Sequence, residues 1–269
     1  MVCTLDKNRV STIRKALKAL GKKNFVFIMH NGSFPAAEGE NTGFGTINSN
    51  GGKKFLNYVQ GLFDAIQMGP AGKTKSSDSS PYTGTIFSNN PLFIDLKELT
   101  TDKWFKILSE KTFNDIVENN PNKDKNRTSY TYITKRQDEA LTEAFNNFEK
   151  LNNKELNKEF EAYKKENDSW LSKDSLYEAL SIKNGTDFWP NWKDKTDKNL
   201  FNPKTKEEEK AFAKRIEETS KTYAKEIEKY KFIQFVLNKQ NLETKKLADS
   251  KGIKMIADRQ VAFSDRDCW

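Results

Sequence analysis

The sequence predicts an α/β fold, with short apolar strands alternating with helices in a parallel arrangement and a long charged helical insertion. Three observations predict it. Residues 25–29, Phe-Val-Phe-Ile-Met, form a continuous apolar run of the kind expected for a strand buried on both faces. Residues 65–68, Ala-Ile-Gln-Met, form a second run, with a helical pattern between the two. Strand, helix and strand in that order suggest a parallel βαβ unit. Residues 230–269 run from a helix through Gly252 into a buried strand at Ile253, Met255 and Ile256, with Asp258 directly after it.

The elements follow in order. Residues 9–20 read as a basic amphipathic helix, with Val10, Ile13, Ala16, Leu17 and Leu20 on one side and Gly21 closing it. After the first strand comes a Gly/Asn/Ser-rich loop from His30 to Gly52. Phe55, Leu56, Val59 and Leu62 then give a helix, with Gly61 near its end. The second strand leads into a polar loop over residues 69–90, longer than compact domains use without a functional reason. Residues 96–228 are mostly helical and highly charged, with a linker at 121–126 and an aromatic break at 187–192, Asp-Phe-Trp-Pro-Asn-Trp. In the last helix, Asn238, Gln240 and Asn241 blur the apolar period, and Gly252 supplies a left-handed stop. The domain boundaries expected from this pattern are 1–100 for the first strands and their long loop, 101–225 for the helical insertion, and 226–269 for the last helix and third strand.

Composition bounds the function. The 269 residues suffice for one large or two small domains. Nineteen Phe and five Trp are enough for a core, although only 35% of the chain is hydrophobic and 31% is charged. The net charge of +8 comes mostly from Lys mixed with Glu along helices, as over residues 204–229, which reads as a solvated surface rather than a phosphate-reading patch. No nucleic-acid partner is therefore expected. Cys3 and Cys268 make neither a disulfide framework nor a zinc spacing. No signal peptide or membrane-spanning run is seen, so a soluble cytoplasmic protein is expected. The N-x-S/T matches at Asn31, Asn126 and Asn184 are then chance.

Few segments suggest chemistry. Gly-Pro-Ala-Gly-Lys-Thr-Lys-Ser-Ser, from residue 69, ends like a phosphate loop, but Gly69 and Gly72 are too close together for that motif. His30 is the only histidine; with no partner recognisable by spacing it reads as a hydrogen-bonding loop residue, and no metal or cofactor is expected. Tyr82, Phe87, Trp189 and Trp192 sit among Asn, Asp and Ser, a mixture that suits sugar rings, although covering a core under long loops is the simpler use for them. Asp258 is the best single candidate, because an acid directly after a buried strand is costly to place, with turn capping as its alternative.

These residues carry a resemblance. Residues 63–70, Phe-Asp-Ala-Ile-Gln-Met-Gly-Pro, look like a strand ending in Leu-Gly-Pro. Residues 78–83, Asp-Ser-Ser-Pro-Tyr-Thr, through 90–95, Asn-Pro-Leu-Phe-Ile-Asp, look like an Asp-Ser-Pro-Tyr…Gly-Asn-Pro loop. Residues 160–192, with Trp170-Leu, Ala179-Leu and Phe188-Trp-Pro-Asn-Trp, look like a helical segment with Trp-x-x-Trp, and residues 230–269 like the helix and strand leading to a conserved acid. In this order and spacing the chain resembles the 4-α-glucanotransferases (amylomaltase, or disproportionating enzyme) of glycoside hydrolase family 77. The resemblance implies the N-terminal part, about three strands, of a (β/α)8 TIM barrel with a large helical insertion. It implies transfer of α-1,4-glucan segments between maltooligosaccharides by a retaining double displacement, which needs a nucleophilic carboxylate and an acid/base carboxylic acid. Both are expected beyond residue 269, so no catalytic residue is expected within this chain and the piece alone should not transfer glucan. By the same match Tyr82 stacks on the sugar next to the cleaved bond and Asp258 shapes that subsite; Asp78 and Asn90 join them as substrate-binding residues. The chain departs from the family with Ala257 and Gln260 around the acid, and with residues 264–269, Ser-Asp-Arg-Asp-Cys-Trp, where the family has Ser-Ala-Asp-Val-Trp. The competing function is a non-catalytic carbohydrate-binding or vestigial amylase-clan protein, and a basic helical nucleic-acid binder is the remote third.

Overall fold

The computed structural model describes residues 5–75, 78–125, 127–260 and 264–269; Cys3 and Asn126 lie outside them. The chain divides into two compact units. The first comprises the described residues of Met1–Ala71, Asn90–Phe148 and Val236–Arg259, and the second those of Gly72–Asn89, Glu149–Phe235 and Gln260–Trp269. These units divide the chain elsewhere than at residues 100 and 225.

The first unit opens with α1 (Lys7–Ala19), capped by the Asp6 side chain on the Asn8 amide, and β1 (Val26–Ile28). Helix α2 (Asn50–Tyr58) starts earlier than its apolar period suggests, with Ser49 accepting from the Gly52 amide. Gly51 and Gly52, which read as loop, lie inside this helix because other backbone passes over them: a Cβ on Gly51 would stand 2.0 Å from the Pro35 carbonyl oxygen. Strand β2 (Ala65–Gln67) follows, then α3 (Leu96–Leu99), α4 (Glu110–Glu118) and α5 (Tyr130–Leu151). Helix α4 and, to Phe148, α5 belong to this unit: their apolar positions Phe113, Ile116, Ile133 and Leu141 are buried, and Gln137 on α5 donates to the Pro91 and Ile94 carbonyls.

Within the second unit α6 (Lys154–Asn184) is capped by Asn153 and closed by Gly185 at φ +66°. Helices α7 (Lys195–Asn199) and α8 (Lys206–Thr222) follow. Tyr177, Leu180, Trp192, Leu200, Phe212 and Ile227 form its core, with Trp189, Phe201 and Trp269 packed against it. The long α9 (Ala224–Ser250) serves the second unit over 224–235 and the first over 236–250, and Gly252, at φ +72°, stops it before β3 (Lys254–Ile256).

The sheet is parallel, in the order β1-β2-β3, with Phe27, Ile66 and Met255 in register. Ile66, Leu56, Val59, Ala248 and Ile253 share one hydrophobic core. The central strand is mostly buried, with Ala65 and Ile66 inside and Gln67 partly exposed. The flanking strands are not: Val26 (40% exposed), Ile28 (67%) and Ile256 (40%) leave one sheet face open. Burial on both faces requires covering on both, and in this unit the core lies on the Phe27–Ile66–Met255 side. No helix among the described residues is long and apolar enough to cross a membrane.

Candidate functional site

Parallel α/β sheets present their chemistry at the carboxyl ends of the strands. In the first unit the last sheet row is Ile28, Gln67 and Ile256. Two residues beyond each stand His30, Gly69 and Asp258, so register alone brings them to one end of the sheet. Hydrogen bonds from Met29 N–H to Gln67 O and from Met68 N–H to Ile256 O, both 3.0 Å, extend the pairing past the strand ends. The Asn31 amide, 6% exposed, donates to Gly69 O across 3.3 Å. His30 itself is exposed. Asp258 is half-buried, and its Oδ1 accepts the Arg259 amide at 2.9 Å, a bond that a turn cap also makes.

Asn90 belongs to the same unit and is buried, at 6% exposure. Its Oδ1 accepts the Leu92 amide at 3.0 Å and its own N–H reaches Ala71 O at 2.8 Å, so it fixes the exit of the long loop.

The second unit carries the body of that loop, with Asp78 and Tyr82. Its base is closed by antiparallel bridges, Gly72 with Asn89 and Lys75 with Asp78. Lys73 N–H reaches Ser88 O at 2.9 Å and Thr85 N–H reaches Lys73 O at 3.1 Å. At the tip, Asp78 accepts the Ser80 amide (2.9 Å) on one oxygen and the Thr83 hydroxyl (2.8 Å) on the other. These bonds shape the single turn Pro81–Thr83 and hold the Asp78 carboxyl below its ordinary range. Tyr82 is left 45% exposed on this turn and Phe87 58% exposed on the return strand of the loop, stacked on Trp170. Trp189 and Trp192 are structural: Trp192 is fully buried and donates to Thr186 O, and Trp189 donates to Asp265 O. The aromatic set thus splits into two exposed rings and two that build the core.

Beneath the loop lies a charge cluster that the sequence reading missed. Glu178 Oε2 receives both Lys73 Nζ (2.6 Å) and Arg266 Nη1 (2.9 Å). Burial pushes the Glu178 carboxyl up, but Lys73 and Arg266 together overcome it and hold the group at about 2. The Lys73 ammonium is thereby committed to a carboxylate, which removes the phosphate-loop alternative for this segment. Asp174, one turn before Glu178, accepts the Ser88 hydroxyl, and burial raises its carboxyl despite the nearby Arg266. The signal available in the sequence was the i, i+4 carboxylate pair Asp174 and Glu178 on one helix face, paired with a lone arginine in Asp-Arg-Asp.

The first unit is thus a parallel α/β core whose loops follow the strand ends, and the second is helix-rich and presents the exposed rings of Tyr82 and Phe87. The comparisons give the chain a family. The profile of glycoside hydrolase family 77, described as 4-alpha-glucanotransferase, matches residues 32–269, and the chain belongs to that family. It is 29% identical over 210 residues to a 4-alpha-glucanotransferase of Clostridium butyricum, covering 76% of this chain and 38% of that protein. Its fold is similar to that of an amylomaltase from Streptococcus agalactiae solved in complex with acarbose, with a TM-score of 0.71 at 21% identity, over 88% of this chain and 43% of the other. The chain thus spans less than half the length of these relatives.

Proposed function

We propose that this chain is the glucan-binding N-terminal part of a 4-α-glucanotransferase that moves α-1,4-glucan segments between maltooligosaccharides by a retaining double displacement. In this reading the nucleophile and the acid/base carboxyl are supplied beyond residue 269. The three parallel strands are the first three of a (β/α)8 barrel, and the open apolar face formed by Val26, Ile28 and Ile256 is the face that later strands cover. The helix-rich unit is the insertion. The protein acts in the cytoplasm on maltooligosaccharides, with no nucleic-acid partner.

The observation that carries the reading is Tyr82. A large aromatic ring stands 45% exposed on a turn whose neighbouring carboxylate is committed to holding that turn. A sugar's apolar face stacks on such a ring, and pre-organisation of the turn lowers the ordering cost of binding. Asp258 contributes hydroxyl-directed hydrogen bonds at the end of β3, Asp78 shapes the turn under the sugar, and Asn90 fixes the loop's exit.

The test is maltoheptaose binding by calorimetry, with maltotriose disproportionation measured in the same preparations. Tyr82→Ala should weaken binding roughly three- to tenfold, the size of one aromatic stacking contact, and leave the melting temperature unchanged. Asp258→Asn should weaken binding at near-native stability; a fall in melting temperature with binding intact assigns Asp258 to turn capping instead. Binding without transfer by this chain is expected on both the transferase and the non-catalytic carbohydrate-binding readings, which are separated by whether carboxylates at later strand ends are encoded beyond residue 269; no binding removes the glucan reading.

A further inference from the structure

The residues that follow β3 do something in the second unit that the strand-end aspartate does not explain. Gln260 Nε2 donates to Gly84 O at 3.0 Å. Asp267 Oδ1 accepts the Ile86 amide at 3.1 Å, while its other oxygen takes the Ser264 hydroxyl at 2.6 Å. Asp265 pairs with Lys75. These contacts grip the 72–89 loop on both sides of the turn that bears Tyr82.

Between the two aspartates, Arg266 points the other way. Its Nη1 donates to the Glu178 carboxylate and its Nη2 to the Asp174 carbonyl, both on α6. Its side chain is only 10% exposed, and the guanidinium lies over the rings of Tyr177 (4.7 Å) and Tyr230 (5.0 Å). Tyr230 in turn donates its hydroxyl to Ser88 Oγ, and Lys73 shares the Glu178 oxygen with Arg266, so both ends of the loop's base meet the same cluster. The guanidinium's planar fork suits this: its two Nη groups hold two acceptors on one helix at a fixed separation, a geometry that the single ammonium nitrogen of a lysine does not reproduce.

We propose that Arg266 is a positioning residue that ties the 264–267 segment to α6 and, through Asp265 and Asp267 on either side of it, holds the Tyr82 loop in its glucan-binding conformation. The proposal rests on the glucan reading above and adds to it what fixes the loop. It also gives a physical use to the Asp-Arg-Asp departure from the family pattern.

The experiment is residue-resolved amide hydrogen exchange of the whole chain, paired with maltoheptaose binding, for Arg266→Lys and Asp267→Ala. The lysine keeps a positive charge on Glu178 and loses the second acceptor. Asp267→Ala leaves Arg266 in place and removes the grip on Ile86 together with the bonds to Ser264, so it decides the question if the lysine variant does not fold. Exchange at Thr85 and Ile86 should accelerate about tenfold or more, the factor that about 1.4 kcal/mol of local opening represents, with exchange in α8 of the same unit unchanged and maltoheptaose bound at least several-fold more weakly. Loop exchange that rises no more than that of α8, in the same unit, overturns the proposal and leaves Arg266 a general core residue. Faster loop exchange with undiminished binding overturns it as well. If the unsubstituted chain binds no maltoheptaose, the glucan reading fails by itself, and the exchange data still decide whether Arg266 positions the loop.

Discussion

Asp95 makes the chain's stability depend on pH in an unusual direction. It caps α3, with Oδ1 accepting the Lys97 amide at 3.1 Å, and only 6% of the residue is exposed. Burial pushes its carboxyl up to about 7; Lys53 opposes that, and Glu98 and Glu40 add to it. A rise from 3.8 to about 7 is roughly three units, worth up to about 4 kcal/mol. Between about pH 4 and 7 the folded chain keeps a proton that the unfolded chain has released, so the contribution of this group falls as pH rises through that window and is constant above it. Asparagine is neutral throughout and is as good a cap. Asp95→Asn should therefore match the wild type near pH 4 and gain stability progressively, reaching about 2–4 kcal/mol at pH 8, or roughly 5–10 °C in Tm for a chain of this size. Urea unfolding of both proteins at several pH values between 4 and 8 measures the difference directly and cancels the opposing slope of paired carboxylates such as Glu98. A difference that does not change with pH, or an asparagine variant less stable at pH 8, would refute the reasoning.

Two other substitutions probe the loop and the core. A Cβ on Gly72 would stand 2.0 Å from the Thr85 carbonyl oxygen, backbone that cannot swing aside, so Gly72→Ala should cost about 1–3 kcal/mol in thermal unfolding and loosen the base of the Tyr82 loop. Trp192, 1% exposed and packed at 5.1 Å from Tyr177 and 5.7 Å from Trp269, should lose about 3–5 kcal/mol as Trp192→Ala by chemical denaturation; an exposed sugar-binding ring would cost almost nothing.

The parallel sheet was legible because β2 keeps its apolar run and because Gly252 marks the end of α9. The open face of β1 was not, since a run such as Phe-Val-Phe-Ile-Met looks the same whether or not something covers its second side. Helix α2 was read too short because Gly51 and Gly52 resemble a loop; only the close passage of residues 35–37 explains glycine inside a helix. Asp78 and Tyr82 were singled out through a motif, but the motif carries no statement that Asp78 uses both oxygens on its own turn. The Arg266 cluster was missed because its members are separated by up to 193 positions in the sequence, from Lys73 to Arg266, and no local period connects them.

Polar residues along α9, among them Gln240, which blurs the apolar period, show why such long loops can be ordered. A loop without secondary structure leaves its backbone groups to be satisfied elsewhere, and a buried amide left unpaired costs about 1–3 kcal/mol. Gln234 answers both backbone groups of Asn89, with bonds of 2.9 and 3.0 Å. Gln240 does the same for Asp95, at 2.8 and 3.1 Å, and Thr244 donates its hydroxyl to Oδ1 of buried Asn48 at 2.6 Å. Each glutamine thus acts as a one-residue strand partner, placed on a helix where leucine would be the stronger hydrophobe. Replacing either with leucine would improve the helix's apolar period and still destabilise the chain, because two backbone groups would lose their partners at once. A helix whose period is broken by buried amides is therefore better read as a template for neighbouring loops than as a weak helix.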